Sequence, residues 1–305
     1  MHKSVLLETS VSYLNLKEES VIVDATLGYG GHSSAILKEI KKGFLFAFDQ
    51  DSDAIEYSQK RLSTIASNYE IIKSNFVNMK KELNARKINE VDGILFDLGV
   101  SSPQLDVDDR GFSFHKDAPL DMRMDQSQDK NAFVVVNNYS KEELIRIFRE
   151  YGEEKYAVSI ASGIVKSRSD KPIKTTLELA EIIKNNVPMH YRKEKHPARK
   201  VFQAIRIEVN NELEVCDSAV RQALKLVKVG GRVCVITFHS LEDRLVKNIF
   251  KENSQVDPNL KGLPIIPDEY LPNYKVVANI SPSKEEIEEN KRARSARLRV
   301  IERIK

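Results

Sequence analysis

Cysteine is scarce in this 305-residue chain: only Cys216 and Cys234 occur, each inside an otherwise apolar periodic segment. Two such thiols cannot form a disulfide framework or a cysteine zinc site; both read as core residues, and no metal is called for. Long apolar runs are missing too. No stretch approaches the ~18 apolar residues of a membrane-spanning helix. Met1 to Glu8 carries one lysine and too short an apolar segment for a secretory leader, so the expected location is cytoplasmic. Charge of one sign is not in excess either, since a formal net charge of +3 does not by itself announce a nucleic-acid binder. The bases are concentrated locally instead. His190 to Lys200 holds five Lys or Arg against one Glu, and Lys291 to Lys305 holds seven against one. Glu285, Glu286, Glu288 and Glu289 precede the second cluster, so a helix with its dipole complemented at both ends and a set of phosphate contacts both stay open.

What is present is a soluble composition, 41% hydrophobic and 30% charged, in a chain long enough for two domains. Val21-Ile22-Val23-Asp24 reads as a strand running into Ala25-Thr26-Leu27-Gly28-Tyr29-Gly30-Gly31-His32, a glycine turn ahead of a helix carrying Ile36, Leu37 and Ile40 on one face. Gly28, Gly30 and Gly31 are expected to supply positive φ and a close approach for a nucleotide-like ligand. Gly43 to Asp49 is a second strand ending in an acid, and a helix with Ala54, Tyr57, Ser58 and Leu62 follows, completing a βαβ unit. Asp49 sits where a carboxylate accepts both hydroxyls of a ribose, with a helix N-cap as the plainer alternative. Glu70 to Phe76 is a third strand, whose Phe76 lies against an adenine ring or in the core. Val91 to Asp97 is a fourth, running into Leu98-Gly99-Val100-Ser101-Ser102-Pro103-Gln104. Asp24, Asp49 and Asp97 thus end strands at one edge, where open α/β sheets bind ligands.

Beyond residue 105 the alternation stops. Residues 106–196 are expected to form an inserted helical domain, and 1–105 with 197–305 a discontinuous α/β domain. Within the insert, Ser140 with Glu143 and Thr175 with Glu178 announce capping boxes. Pro197 opens one long helical pattern through Val227 that Gly230-Gly231 ends. Arg232 to Phe238, residues 275–280 and residues 298–304 then read as strands, with a Ser283/Glu286 capping box between the last two. Seven strands result.

A nicotinamide dehydrogenase would want Gly or Ala at the third fingerprint position, which is Ser33 here. A methyl donor without phosphates fits the turn better. At this point several blocks together resemble one family, the RsmH (MraW) methyltransferases. They are Val5-Leu6-Leu7-Glu8 after His2, Asp24 to His32, Asp97 to Asp106, Arg110 to Phe114 with Pro119 to Asp125, Phe202 to Ile207 with Asn210-Asn211-Glu212-Leu213, Phe238 to Arg244, and Arg292 to Arg299. The likeness runs nearly the full length. Asn211 stands where the family commonly has Asp. The resemblance implies a class I (Rossmann-like) S-adenosylmethionine-dependent fold with a seven-stranded mostly parallel sheet. It also implies methylation of the exocyclic N4 of a cytosine in the decoding centre of bacterial 16S ribosomal RNA, within the small subunit. Carried over by position, it implies that Gly30, Gly31, His32, Asp49, Phe76, Asp97 and Gln104 hold S-adenosylmethionine, and it moves His32 from a residue near a helix cap toward the site.

The chemistry can also be argued from the residues. Attack through a base carbon calls for a cysteine nucleophile, and neither cysteine lies in a loop at the strand ends. Transfer to nitrogen needs acceptors that orient an amine in line with the methyl, and Asp97 and Ser102 are the expected pair. Lys193, Lys195, Arg199, Lys200 and the C-terminal arginines are expected at phosphates, and Phe112, Phe114 or His115 at bases. A DNA or messenger-RNA amine methyltransferase and a non-catalytic ribosome-assembly factor are the other classes that fit, and a homodimer is left open.

Overall fold

The computed structural model describes residues 4–99, 110–194, 196–260 and 265–305. In chain order, α1 (Leu7–Tyr13), β1 (Val21–Asp24), α2 (Gly31–Glu39), β2 (Phe44–Asp49), α3 (Ser52–Leu62), β3 (Tyr69–Lys73), α4 (Met79–Ala85) and β4 (Val91–Asp97) form an alternating half. Helices α5 (Ala132–Asn138), α6 (Lys141–Glu150), α7 (Ala157–Asp170), α8 (Thr176–Asn185), α9 (Met189–Glu194) and α10 (Ala198–Asn210) follow. The chain then returns through α11 (Glu212–Leu226), β5 (Val227–Thr237), α12 (Ser240–Ser254), β6 (Tyr274–Ile280), α13 (Lys284–Glu289) and β7 (Arg297–Arg303).

It divides into two compact units, residues 1–99 with 213–305 and residues 100–212. The boundary expected at 196 falls at 212 because α10 belongs to the helical unit: its Phe202, Ile205 and Val209 share a core with α6 and α7. The single helix expected from Pro197 to Val227 is two, broken at Asn211, which takes φ 49° as the C-cap of α10. Asn and Asp tolerate that left-handed conformation better than most residues. Gly230 and Gly231 do not end a helix; they lie within β5, which begins at Val227.

The sheet has seven strands in the order β3-β2-β1-β4-β5-β7-β6. All neighbours are parallel except β7, which runs antiparallel to β5 and β6. Both faces are covered, which is why the strands read as continuous apolar runs rather than alternating ones. Val23, Phe46, Phe48, Ile94 and Phe96 pack with α4, α11 and α12 on one side. Ile22, Leu45, Ala47, Leu95 and Cys234 pack with α1, α2 and α3 on the other. This is the doubly wound, mostly parallel arrangement expected from the sequence.

Order runs outward in both directions from the neighbouring pair β1 and β4, so the topological switch point lies between them. Asp24 pairs in register with Leu95, which sets the ends of β1 and β4 side by side. The helical unit has its own core, including Leu144, Ile147 and Phe148 of α6, Ile160 and Ile164 of α7, and Leu179 and Ile183 of α8. Both capping boxes form there as expected. The one at Ser283 forms only in half: Ser283 accepts from the Glu286 N–H, while Glu286 Oε1 turns away to accept from Leu6 N–H at 2.6 Å.

Candidate active site

The glycine turn is shaped by side chains that accept backbone hydrogens. Asp24, fully buried at the end of β1, takes the Thr26 N–H on Oδ1 at 3.1 Å and the Ser33 hydroxyl on Oδ2 at 2.6 Å. That ties the strand end to the first turn of α2. Gly28 and Gly30 adopt φ of 49° and 71°, and Gly30 is the N-cap of α2. Gly31 is different: its φ is not positive, and a Cβ there would displace the Ser4 hydroxyl that packs against it.

Asp49 closes the loop from the next strand. Its Oδ2 accepts from Gly28 N–H at 2.8 Å and its Oδ1 from Asp51 N–H at 2.9 Å. Each carboxylate oxygen keeps a lone pair, so a pair of neighbouring hydroxyls can still be accepted. Burial pushes the Asp49 carboxyl up to about 6, against the pull of those N–H groups. Ser58 of α3 fixes the other side by donating to the Gly28 carbonyl at 2.7 Å.

Asp97 ends β4 next to this loop. Its N–H donates to Thr26 Oγ1 at 2.6 Å, and its Oδ2 lies 3.5 Å from His32 Nδ1. Oδ1 is enclosed and has no hydrogen-bond partner among the described residues. Burial, reinforced by the Asp24 and Glu242 carboxylates, pushes the Asp97 carboxyl up to about 8. His32 cannot compensate, because its own burial lowers it to about 4 and leaves the ring neutral. The contact is therefore polar rather than an ion pair at neutral pH.

The sequence reading passed over Asp24, Thr26 and Glu242 as site residues. Glu242, almost fully buried, accepts from Phe238 N–H at 2.9 Å and from His239 N–H at 3.4 Å, holding the turn between β5 and α12. The available signal was its place three residues after His239, the spacing of a capping box.

Gly30, Gly31, His32, Asp49 and Asp97 thus gather at the carboxyl ends of β1, β2 and β4. Phe76 opens the turn after β3 and packs edge-on against Phe96, with ring centroids 5.7 Å apart. Ser102 and Gln104 lie outside the described residues. Cys216 and Cys234 are both buried, and the Cys234 thiol is pushed up to about 12 by burial, so neither is a nucleophile. The set offers hydroxyl acceptors at Asp49, a backbone open to close approach at Gly28 and Gly30, and at Asp97 an enclosed carboxyl, mostly protonated at neutral pH, whose Oδ1 can accept from an amine and whose ionised form a cation would favour.

Of the residues expected at RNA, Phe112 is buried in the helical core and is not free to stack. Phe114 and His115 remain partly or fully exposed. Lys200 donates to the Glu153 carbonyl at 2.7 Å, whereas Arg199 is exposed. Lys195 and the Lys193 side chain lie outside what is described. Among the C-terminal arginines, Arg299 is buried in a two-pronged pair with Asp243 at 2.7 and 2.9 Å, and Arg303 donates to the Val227 carbonyl. These two serve the sheet rather than phosphates.

The model described as the MraW methylase family matches residues 1–304. A protein named ribosomal RNA small subunit methyltransferase H from Lactiplantibacillus plantarum is 53% identical over 310 aligned positions, covering 100% of this chain and 97% of its own. One of the same name from Exiguobacterium sibiricum is 50% identical over 307, covering 100% and 98%. Among solved structures, an rRNA methylase from Streptococcus thermophilus covers 100% of this chain and 99% of its own at 14% identity, with a TM-score of 0.47.

Proposed function

The chain belongs to the MraW methylase family, and from that premise we propose that it methylates the exocyclic N4 of a cytosine in the decoding centre of 16S ribosomal RNA, within the small ribosomal subunit. The enzyme is a methyltransferase and its methyl donor is S-adenosylmethionine, whose sulfonium supplies the activated methyl. Asp49 would hold the ribose, Phe76 would lie against the adenine, and Gly30, Gly31 and Gln104 would line the rest of that site. His32 would act from behind, as a neutral ring against Asp97. The helical unit, residues 100–212, would contribute RNA contacts, and an RNA substrate of this kind sets the work in the cytoplasm.

The observation that carries the reading is the enclosed, unpartnered Oδ1 of Asp97 at the end of β4. A cytosine amine is a weak nucleophile because its lone pair is delocalised into the ring. Accepting its N–H hydrogens and fixing it in line with the methyl is the help it needs. Asp97 with Ser102 would do this. No covalent intermediate is invoked, since both thiols are buried and away from the strand ends.

The test is Asp97→Ala assayed for methyl transfer and, separately, for S-adenosylmethionine affinity. Transfer should fall by about 10²-fold or more, in the range seen when one oriented hydrogen-bonding group is removed from a transition state. Loss of affinity with an undiminished rate in the saturated enzyme would assign Asp97 to the cofactor alone. Full activity would remove it from the mechanism.

A further inference from the structure

The helical unit carries an aromatic platform that its core does not require. Glu154, just ahead of α7, is almost fully buried, yet both of its oxygens are spent on tyrosines. Oε1 accepts from the Tyr156 N–H at 2.8 Å and Oε2 from the Tyr191 hydroxyl at 2.8 Å. Buried carboxylates are costly unless fully bonded, so this one fixes the Tyr191 ring through its hydroxyl and, through the N–H, the backbone that carries Tyr156. The rings meet edge to face with centroids 4.9 Å apart and interplanar angle 69°, each packing on the core with only part of its surface.

The exposed Lys155 ammonium stands 4.9 Å from both ring centroids and has no salt bridge among the described residues. A second ring group is joined to the first through the basic segment 190–200. Phe114 stacks on the exposed His196 at 4.6 Å and 19°. Burial and the neighbouring His115 lower His196, so that it offers a flat neutral ring. Held aromatic rings, an unpaired cation and a run of five bases to one acid match the chemistry of single-stranded nucleic acid, which combines stacking faces with phosphate charge.

We propose that the face built by Lys155, Tyr156, Tyr191, Phe114 and His196 is a docking surface for a single-stranded RNA segment, whose bases stack on the rings and whose phosphate meets Lys155. The proposal rests on the RNA methyl-transfer reading and deepens it by placing substrate contacts far along the chain from Asp97. With the Tyr191 hydroxyl held by the buried acid and the Tyr156 ring packed edge to face against Tyr191, the pair is pre-ordered, so binding costs little side-chain entropy.

The experiment is fluorescence anisotropy of the full chain with a labelled single-stranded oligoribonucleotide, comparing wild type with Lys155→Gln, Tyr156→Ala and His196→Ala. Lys155 is exposed, so K155Q tests the surface even if a ring variant folds poorly. K155Q should weaken binding severalfold and flatten the slope of log affinity against log salt by about 0.7, the value for one lost phosphate contact on a single strand. Either ring variant should weaken binding about tenfold or more, as for one lost base stack. S-adenosylmethionine affinity should stay unchanged in all three. Variant affinities within twofold of wild type, while the wild type binds and methylates ribosomal RNA, would overturn the surface alone. Polyglutamate bound as tightly as RNA, and released by the same variants, would reassign the face to an acidic protein and overturn it too. A wild-type chain that methylates no RNA would instead overturn the reading on which it rests.

Discussion

In the proposed reaction Asp97 carries the chemistry in a single carboxyl group, and its surroundings make its behaviour predictable. Among the described residues, the charged and titratable neighbours facing it are Asp24 from β1, His32 from α2 and Glu242 from α12, of which two are acids and the third is neutral. Folding thus raises the Asp97 carboxyl from an ordinary 3.8 to about 8. The folded state holds a proton that the unfolded chain has already released. Its stabilising contribution is full below about 4 and is lost as pH climbs through 8. Asp49, raised to about 6, acts in the same sense but is spent earlier. The thermal midpoint of the wild type should therefore decline between pH 6 and pH 9, and Asp97→Asn should flatten that decline; equal slopes would show that Asp97 ionises normally.

In that proposal the same group also discriminates between donor and product. A sulfonium cation favours the ionised carboxylate, so affinity for S-adenosylmethionine, relative to that for the uncharged S-adenosylhomocysteine, should increase from pH 6 to pH 8 by calorimetry. A constant ratio would contradict it. From the sequence, Asp97 was visible as an acid ending a strand. Its orphaned oxygen was not, because that depends on which groups from three other elements approach it, and on the Thr26 hydroxyl being taken by its N–H.

At the scale of elements, strand ends and helix caps were the most legible features. β1, β2 and β4 end in acids as read, and the boxes at Ser140 and Thr175 form, because each depends on residues within one turn of chain. The break at Asn211 and the start of β5 ahead of its glycines were not legible. A left-handed residue between two apolar helices leaves the periodicity intact, and Val227 to Gly231 is strand only because β4 stands beside it. The Glu286 box failed for a like reason, since the N–H of Leu6, just ahead of α1, outcompeted the local one.

The turn joining β5 to α12 offers an element-level test. Glu242→Ala strands the hydrogens of Phe238 and His239, and a buried unsatisfied donor costs about 1–3 kcal/mol, so the melting midpoint should drop by several degrees. Glu242→Gln keeps most of the bonding but removes a charge beside Asp97. It should move the pH-dependent change in donor affinity below the wild-type midpoint. An unmoved midpoint would mean that Glu242 supports only the turn.

For the whole molecule, the near-neutral charge of +3 conceals a division of labour that composition cannot display. One compact unit carries the glycine turn and the strand-end acids; the other carries the rings and the segment from His190 to Lys200. Part of the basic C-terminus proved to be sheet architecture, with Arg299 buried against Asp243, which no count of charges could foretell. The measurement that tests the central claim most directly is incubation of the full chain with labelled S-adenosylmethionine and, in parallel, naked 16S RNA, DNA and undermodified small subunits, followed by identification of the product nucleoside. The expected result is N4-methylated cytidine recovered from small-subunit RNA. Label in DNA, label on a cytosine carbon, or binding to the subunit without turnover would contradict it.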